Sequence, residues 1–109
     1  MTTLNQKFSM FAGDTKYIVV PVVTPEGTPV TLTGTTIKWG AREIGGVTNV
    51  ISKQTPTITI AGNVITIKLL PADTSALSGI YYHECEITDQ QSNVSTIFAG
   101  TVTIYKSGV

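Results

Sequence analysis

The four residues His83, Glu84, Cys85 and Glu86 bring together the only histidine, the only cysteine and two of the seven acids of a 109-residue chain. In an extended segment alternate side chains point to opposite faces, so His83 and Cys85 share one face and Glu84 and Glu86 the other. A cysteine beside a histidine can supply a thiolate nucleophile. Two residues apart on one strand, however, their Cα atoms would lie ~6.5–7 Å apart. No oxyanion donor or orienting third group accompanies them. The same parity gathers Tyr81 and Ile87 beside them and predicts an inward face, with Cys85 a small core residue and His83 a satisfied, half-buried one. On the other face, with Tyr82 and Thr88, two carboxylates about 5–7 Å apart would have the spacing of a glycosidase pair. Such a pair needs a cleft lined with aromatics, and most of the three Phe, four Tyr and one Trp fall at core positions. A solvated sheet face is the expectation for Glu84 and Glu86.

Other chemistries find fewer residues. One Cys and one His are too few for a zinc site. Asp14 and Asp89 stand nearly alone in their turns, short of the carboxylate cluster of a calcium loop. No Gly-rich loop leads into a helix to cradle a phosphate. Trp39 could stack on a sugar or a base, but its strand face makes it the core anchor of a sandwich. The sequence therefore predicts no catalytic, cofactor-binding or metal-binding residue. Seven basic and seven acidic residues give a net charge of +0, without the cationic excess that nucleic-acid binders use to displace counterions. No apolar run reaches the ~18 residues of a membrane span. The opening MTTLNQKFSMFAGD lacks the charged and apolar regions of a signal peptide, and the Asn93-Val94-Ser95 sequon is a chance match on this reading. Charged residues make up 13% of the chain, against about a quarter in average soluble domains. The surface is then mostly neutral Thr and Ser, which suits packing in an assembly.

Turn residues recur every several positions, and the segments between them are rich in Val, Ile, Thr and Tyr, which fit a pleated, half-buried surface. The strands expected are Phe8 to Ala12, Lys16 to Val23, Thr36 to Glu43, a weaker edge strand Val47 to Lys53, a hairpin of Thr57 to Ile60 and Val64 to Leu69 about Ala61-Gly62-Asn63, then Ile80 to Asp89 and Val94 to Tyr105. Ile18, Val20 and Val22 share a face, as do Ile37, Trp39 and Ala41. Pro21 predicts an unpaired or irregular stretch in the second strand; Ala99-Gly100 predicts a bulge in the last. Pro25-Glu26-Gly27-Thr28 and Gln90 to Asn93 read as tight turns. Residues 1–109 read as a single domain, with Met1 to Met10 as an N-terminal arm.

Between Leu69 and Asp89 the run LLPADTSALSGIYYHECEITD reads as strand, one helical turn, glycine and strand. Asp73 is the expected N-cap and Gly79 the expected left-handed stop. Tyr81 stands where a tyrosine corner forms at the entrance to a late strand. This is the crossover between the two sheets of an immunoglobulin-like fold. The fold expected is all-β, an immunoglobulin-like β-sandwich of seven to nine antiparallel strands with one short helical turn. Cys85 has no partner for the usual inter-sheet bridge, because the early strand offers Val20, so packing around Trp39 must take its place.

Three stretches, FAGDT (Phe11 to Thr15), GTPVTLTGTTIKWGAR (Gly27 to Arg42) and LLPADTSALSGIYYHECEITDQQSNVSTIFAGTVTI (Leu69 to Ile104), carry a resemblance. In order and spacing they resemble the immunoglobulin-like domain at the N-terminus of phage baseplate upper proteins, also found in small tail proteins of phages and prophages. The resemblance covers about residues 8 to 105. It implies a non-enzymatic virion protein, assembled in the bacterial host cytoplasm and placed by packing against other phage structural proteins. No nucleic-acid or membrane partner is implied, and a homo-oligomer is an open alternative. Baseplate upper proteins continue into a long region that bears receptor-binding proteins. With this chain ending at Val109, the expectation is a small tail or baseplate adaptor, decoration or joining subunit. The contact surfaces expected are the edge strand Val47 to Lys53, the arm with Leu4, Phe8, Met10 and Phe11, and the loops Pro25 to Thr28 and Gln90 to Asn93. The alternative is a carbohydrate-binding or adhesin-like module using Tyr82, Tyr105 and the loops. A hydrolase using Glu84 and Glu86 comes third, because a fold alone does not establish a reaction.

Overall fold

A computed structural model describes residues 7–107. Its elements follow in the order β1 (Phe8–Phe11), β2 (Lys16–Pro21), β3 (Thr36–Glu43), β4 (Asn49–Gln54), β5 (Thr59–Ala61), β6 (Val64–Leu69), α1 (Pro71–Thr74), β7 (Gly79–Thr88) and β8 (Val94–Tyr105). One sheet has the order β1-β8-β7-β3-β4 and the other β2-β6-β5. With β2, β6 and β5 on one side and β3, β7 and β8 on the other, the chain has the two-sheet division of an immunoglobulin-like sandwich. The strands are not all antiparallel as expected: β1 runs parallel to β8, with Phe8 beside Val102 and Phe11 beside Tyr105. β1 turns into a strand of the opposite sheet, so its neighbour is set by the sandwich and not by the next hairpin.

The period-2 pattern buries one face of each sheet. Ile37, Trp39 and Ala41 of β3 and Tyr81, His83 and Cys85 of β7 meet Ile65, Ile67 and Leu69 of β6 across the core. Leu32, from the β2–β3 connection, plugs the same core at 1% exposure. The tyrosine corner forms as expected. The Tyr81 hydroxyl donates to the Ser78 carbonyl at 3.0 Å and accepts the Ser78 N–H at 3.2 Å.

Several local expectations need correction. Pro71 occupies the first turn of α1, where a missing N–H costs nothing, so the N-cap moves back to Leu70 and Asp73 falls at N3. From there its carboxylate still accepts the Leu70 N–H at 2.7 Å. Gly79 does not stop the helix, which ends at Thr74; with φ +110° it opens β7 instead. Thr74 is fully buried, and its hydroxyl accepts the Gly13 N–H at 2.9 Å, tying the crossover to the β1–β2 corner. The bulge in β8 lies at Ile97 and not at Ala99-Gly100: Cys85 pairs with Phe98 and Glu86 with Thr96, which leaves Ile97 unpaired. Gly100 stays in register opposite His83. β4 begins at Asn49 and extends to Gln54, and the hairpin loop closes on Gly62 and Asn63 alone, because Ala61 pairs with Val64.

β2 keeps its register as far as Pro21 but ends there, short of the expected Val23, which makes only an isolated bridge to Pro29. The Val22 N–H bonds to the Asn63 carbonyl at 2.8 Å. In an antiparallel ladder alternate residues share that orientation, so Val20, Ile18 and Lys16 also bond toward β6. Tyr17, Val19 and Pro21 turn their backbone groups the other way, to the open edge, and the proline's missing donor leaves the ladder intact. The arm expected at Met1 to Met10 falls partly outside the described residues. Within them, Phe8 to Met10 belong to β1, and Met10 is a core residue at 6% exposure.

Candidate functional site

β7 carries the two candidate constellations, one on each face. On the inner face His83 and Cys85 are both fully buried. Trp39 Nε1 donates to His83 Nδ1 at 3.1 Å, which fixes that nitrogen as an acceptor and satisfies the indole in the core. The imidazole lies among Phe8, Trp39 and Phe98, with ring centroids at 5.2, 5.9 and 5.8 Å. The histidine expected to be half-buried is therefore wholly enclosed. Burial, followed by the negative charge of Glu86, pushes the Cys85 thiol up to about 12. A thiol held protonated and out of solvent is a packing group and not a nucleophile.

The outer face is polar and open. Glu84 accepts the Tyr82 hydroxyl at 3.0 Å and faces Arg42 Nη1 at 3.7 Å. The Arg42 guanidinium lies over the Tyr82 ring, 4.7 Å from its centroid. Burial raises the Tyr82 pKa above its ordinary value, helped by the hydrogen bond and charge of Glu84 and opposed by Arg42. Register places Lys38 opposite Glu86 and Gly40 opposite Glu84. Gly40 lets the Asn49 side-chain amide settle against β3, where a Cβ would collide with it. Beside it is a depression of about 490 Å³ between β4, β3 and β7, bordered by Lys38, Arg42, Asn49, Gln54, Glu84 and Glu86.

Sequence reasoning placed Glu84 and Glu86 on this face but missed Gly40 and Asn49. The available signal was a glycine inside a strand, which often marks a close approach. Tyr82 and Tyr105 do not form one platform. Tyr82 is covered by Arg42, while Tyr105 packs against Phe11, centroids 5.4 Å apart, four residues beyond the Thr101 that pairs with Tyr82. Glu84 is partnered by a guanidinium and a phenol on an open face.

The two expected loops are held by their own side chains. Asp89 accepts the N–H groups of Gln91 and Asn93, both at 2.9 Å, and the Asn93 amide at 3.1 Å. These bonds, led by that of the Asn93 backbone, lower its pKa. Thr24 holds the Pro25 to Thr28 turn by accepting the Thr28 N–H at 3.1 Å. Among the described residues no group of three or more His, Cys, Asp or Glu gathers to hold a metal ion, and no helix is long and apolar enough to cross a membrane.

Neither a protein-family model nor a curated protein matches the sequence. In structure the chain is similar to part of a putative glycoside hydrolase from Bacteroides vulgatus ATCC 8482, with a TM-score of 0.51 and 15% identity over 92% of this chain. The matched region is 16% of the length of that protein. At this identity the likeness is one of fold alone.

Proposed function

We propose that this chain is a non-enzymatic structural subunit of a bacteriophage or prophage virion, a tail or baseplate adaptor or decoration protein that works by packing against other structural proteins. The observation that carries the reading is the resemblance of the three stretches between Phe11 and Ile104 to phage baseplate immunoglobulin-like domains. The geometry is in keeping with it. The reactive residues of β7 are absorbed into the core, and the outer surface carries large apolar side chains at one corner: Ile44 at 61%, Val47 at 95% and Val50 at 42% exposure. Apolar groups gathered beside one turn suit a protein contact. Mass spectrometry of purified virions tests the reading. The protein is expected among the structural components, and virions that lack it overturn the proposal.

A second reading, a carbohydrate-binding or adhesin-like module, is favoured by the depression around Gly40, whose Arg, Asn, Gln and Glu side chains could hydrogen-bond to sugar hydroxyls. It ranks lower because Arg42 covers the aromatic face that a sugar ring would stack on. Specific hits on a glycan array that vanish in Arg42→Ala would reverse the ranking.

A further inference from the structure

The sandwich has four edge strands, and they are not equally protected. Edges are guarded by shortness, bulges, proline or inward-pointing charge. β1 has four residues and β5 three. β4, the edge expected from the sequence to recruit partners, carries two guards. Its register slips at Val50, because Ala41 pairs with Ile51 and Arg42 with Asn49. Lys53, paired with Trp39 on the core side, points inward and bridges to Asp73 of α1 at 2.8 Å. β2 differs: six residues in unbroken register with β6, and no inward charge at its centre.

The open edge of β2 presents the N–H and C=O groups of Tyr17 and Val19 and the C=O of Pro21. No described group hydrogen-bonds to them. Their side chains stand on the outer face, with Tyr17 at 56% and Val19 at 59% exposure and Pro21 exposed. The lysines there, Lys16 and Lys68, lean over the rings of Phe8 and Tyr17 at 5.4 and 5.5 Å.

We propose that this edge pairs with the same edge of a second copy, antiparallel about a two-fold axis through Val19, joining two three-stranded sheets into one of six. The pattern is self-complementary. Val19 meets Val19 of the other copy as a hydrogen-bonded pair that exchanges both N–H···O bonds. The Tyr17 N–H meets the Pro21 carbonyl, and the Tyr17 ring lies across from the Pro21 ring. Ile18 meets Val20 on the inner side, and Lys16 meets Val22, so no charge faces its like. Only the Tyr17 carbonyl, opposite a proline without N–H, is left to water. A second copy fits this edge because in this register both N–H groups the edge presents, those of Tyr17 and Val19, find acceptors, and Pro21 forfeits only the bond to the Tyr17 carbonyl. The contact is smaller than the ~1,200 Å² of standard interfaces, so association is weak, with a Kd of roughly 0.1–1 mM. The inference does not depend on a virion role.

Sedimentation velocity and amide hydrogen exchange on the full chain, from dilute solution to about 1 mM, test it. A dimer is expected to grow with concentration, and exchange at Tyr17 and Val19 to slow by about twofold or more while β4 stays unchanged. Val19→Pro removes a donor aimed only at the open edge, as Pro21 already does, and is expected to abolish the dimer without unfolding the monomer. Val19→Lys sets two cations face to face and is expected to do the same, and it serves if the proline variant fails to fold. Ser52→Lys on β4 is expected to change nothing. Three results overturn the proposal: a monomer throughout the range, a dimer that persists in Val19→Lys, or Tyr17 and Val19 amides already slow in dilute monomer.

Discussion

The two faces of β7 are built from the same short run of residues and have opposite fates. His83 and Cys85 point inward, where each is wholly enclosed; Glu84 and Glu86 point outward, where each is half-exposed. The inner pair is frozen into packing by one indole hydrogen bond and a raised thiol pKa. Of the outer pair, Glu84 joins a surface network with Arg42 and Tyr82, and Glu86 lies opposite Lys38. Reactive residue types do not make a site by adjacency in sequence. On a strand, adjacency means opposite environments, and the environment decides the chemistry.

The contrast can be broken most severely from the inner side. Trp39→Ala removes the largest core side chain and leaves the His83 Nδ1 acceptor without its donor. It is expected to lower unfolding free energy by about 3–5 kcal/mol in urea denaturation, whereas a loss below about 1 kcal/mol would mean that Trp39 does not anchor the core. A smaller effect comes from Cys85. An unfolded thiol loses its proton near 9.0 and the native one near about 12. Between these values the native state holds the extra proton, so stability falls as pH rises, by up to about 1.4 kcal/mol per pH unit from this group. Denaturation of wild type and Cys85→Ala across that window isolates the contribution: the wild type is expected to lose stability more steeply, and parallel curves would contradict an enclosed thiol. The smallest effect belongs to the outer face. Glu84→Gln and Arg42→Ala are each expected to change stability by under about 1 kcal/mol, as exposed ion pairs do. Glu84→Gln also removes the negative charge beside the Tyr82 hydroxyl, so the Tyr82 titration followed by absorbance should move down toward the ordinary phenol value.

The sequence made legible what depends on alternation. Ile37, Trp39, Ala41, Tyr81 and Cys85 fall on the inner face that their parity predicts, and Tyr81 makes its corner because the turn before it is built from Ser78 and Gly79. It was less informative where long-range register decides. The bulge at Ile97 depends on how β8 fits β7, and nothing local to Ile97 marks it. Likewise sequence cannot say which way a backbone N–H points until the partner strand is known, so it does not show that Pro21 keeps its register with Val64 while ending β2. The guarding of β4 is likewise long-range: Lys53 closes the expected edge strand, and only α1 brings Asp73 against it. On the outer face the parity places the carboxylates, but the packing of the Asn49 amide onto Gly40 joins two strands and has no signature in either alone.

The parallel pairing of β1 with β8 has a mechanical consequence. Because both strands run the same way, a pull on Phe8 in one direction and on Tyr105 in the other slides them along their length. The bonds across this seam are then loaded together instead of being peeled apart one by one. That geometry makes the short β1 a shear clasp: tension applied along this axis loads the β1–β8 seam lengthwise.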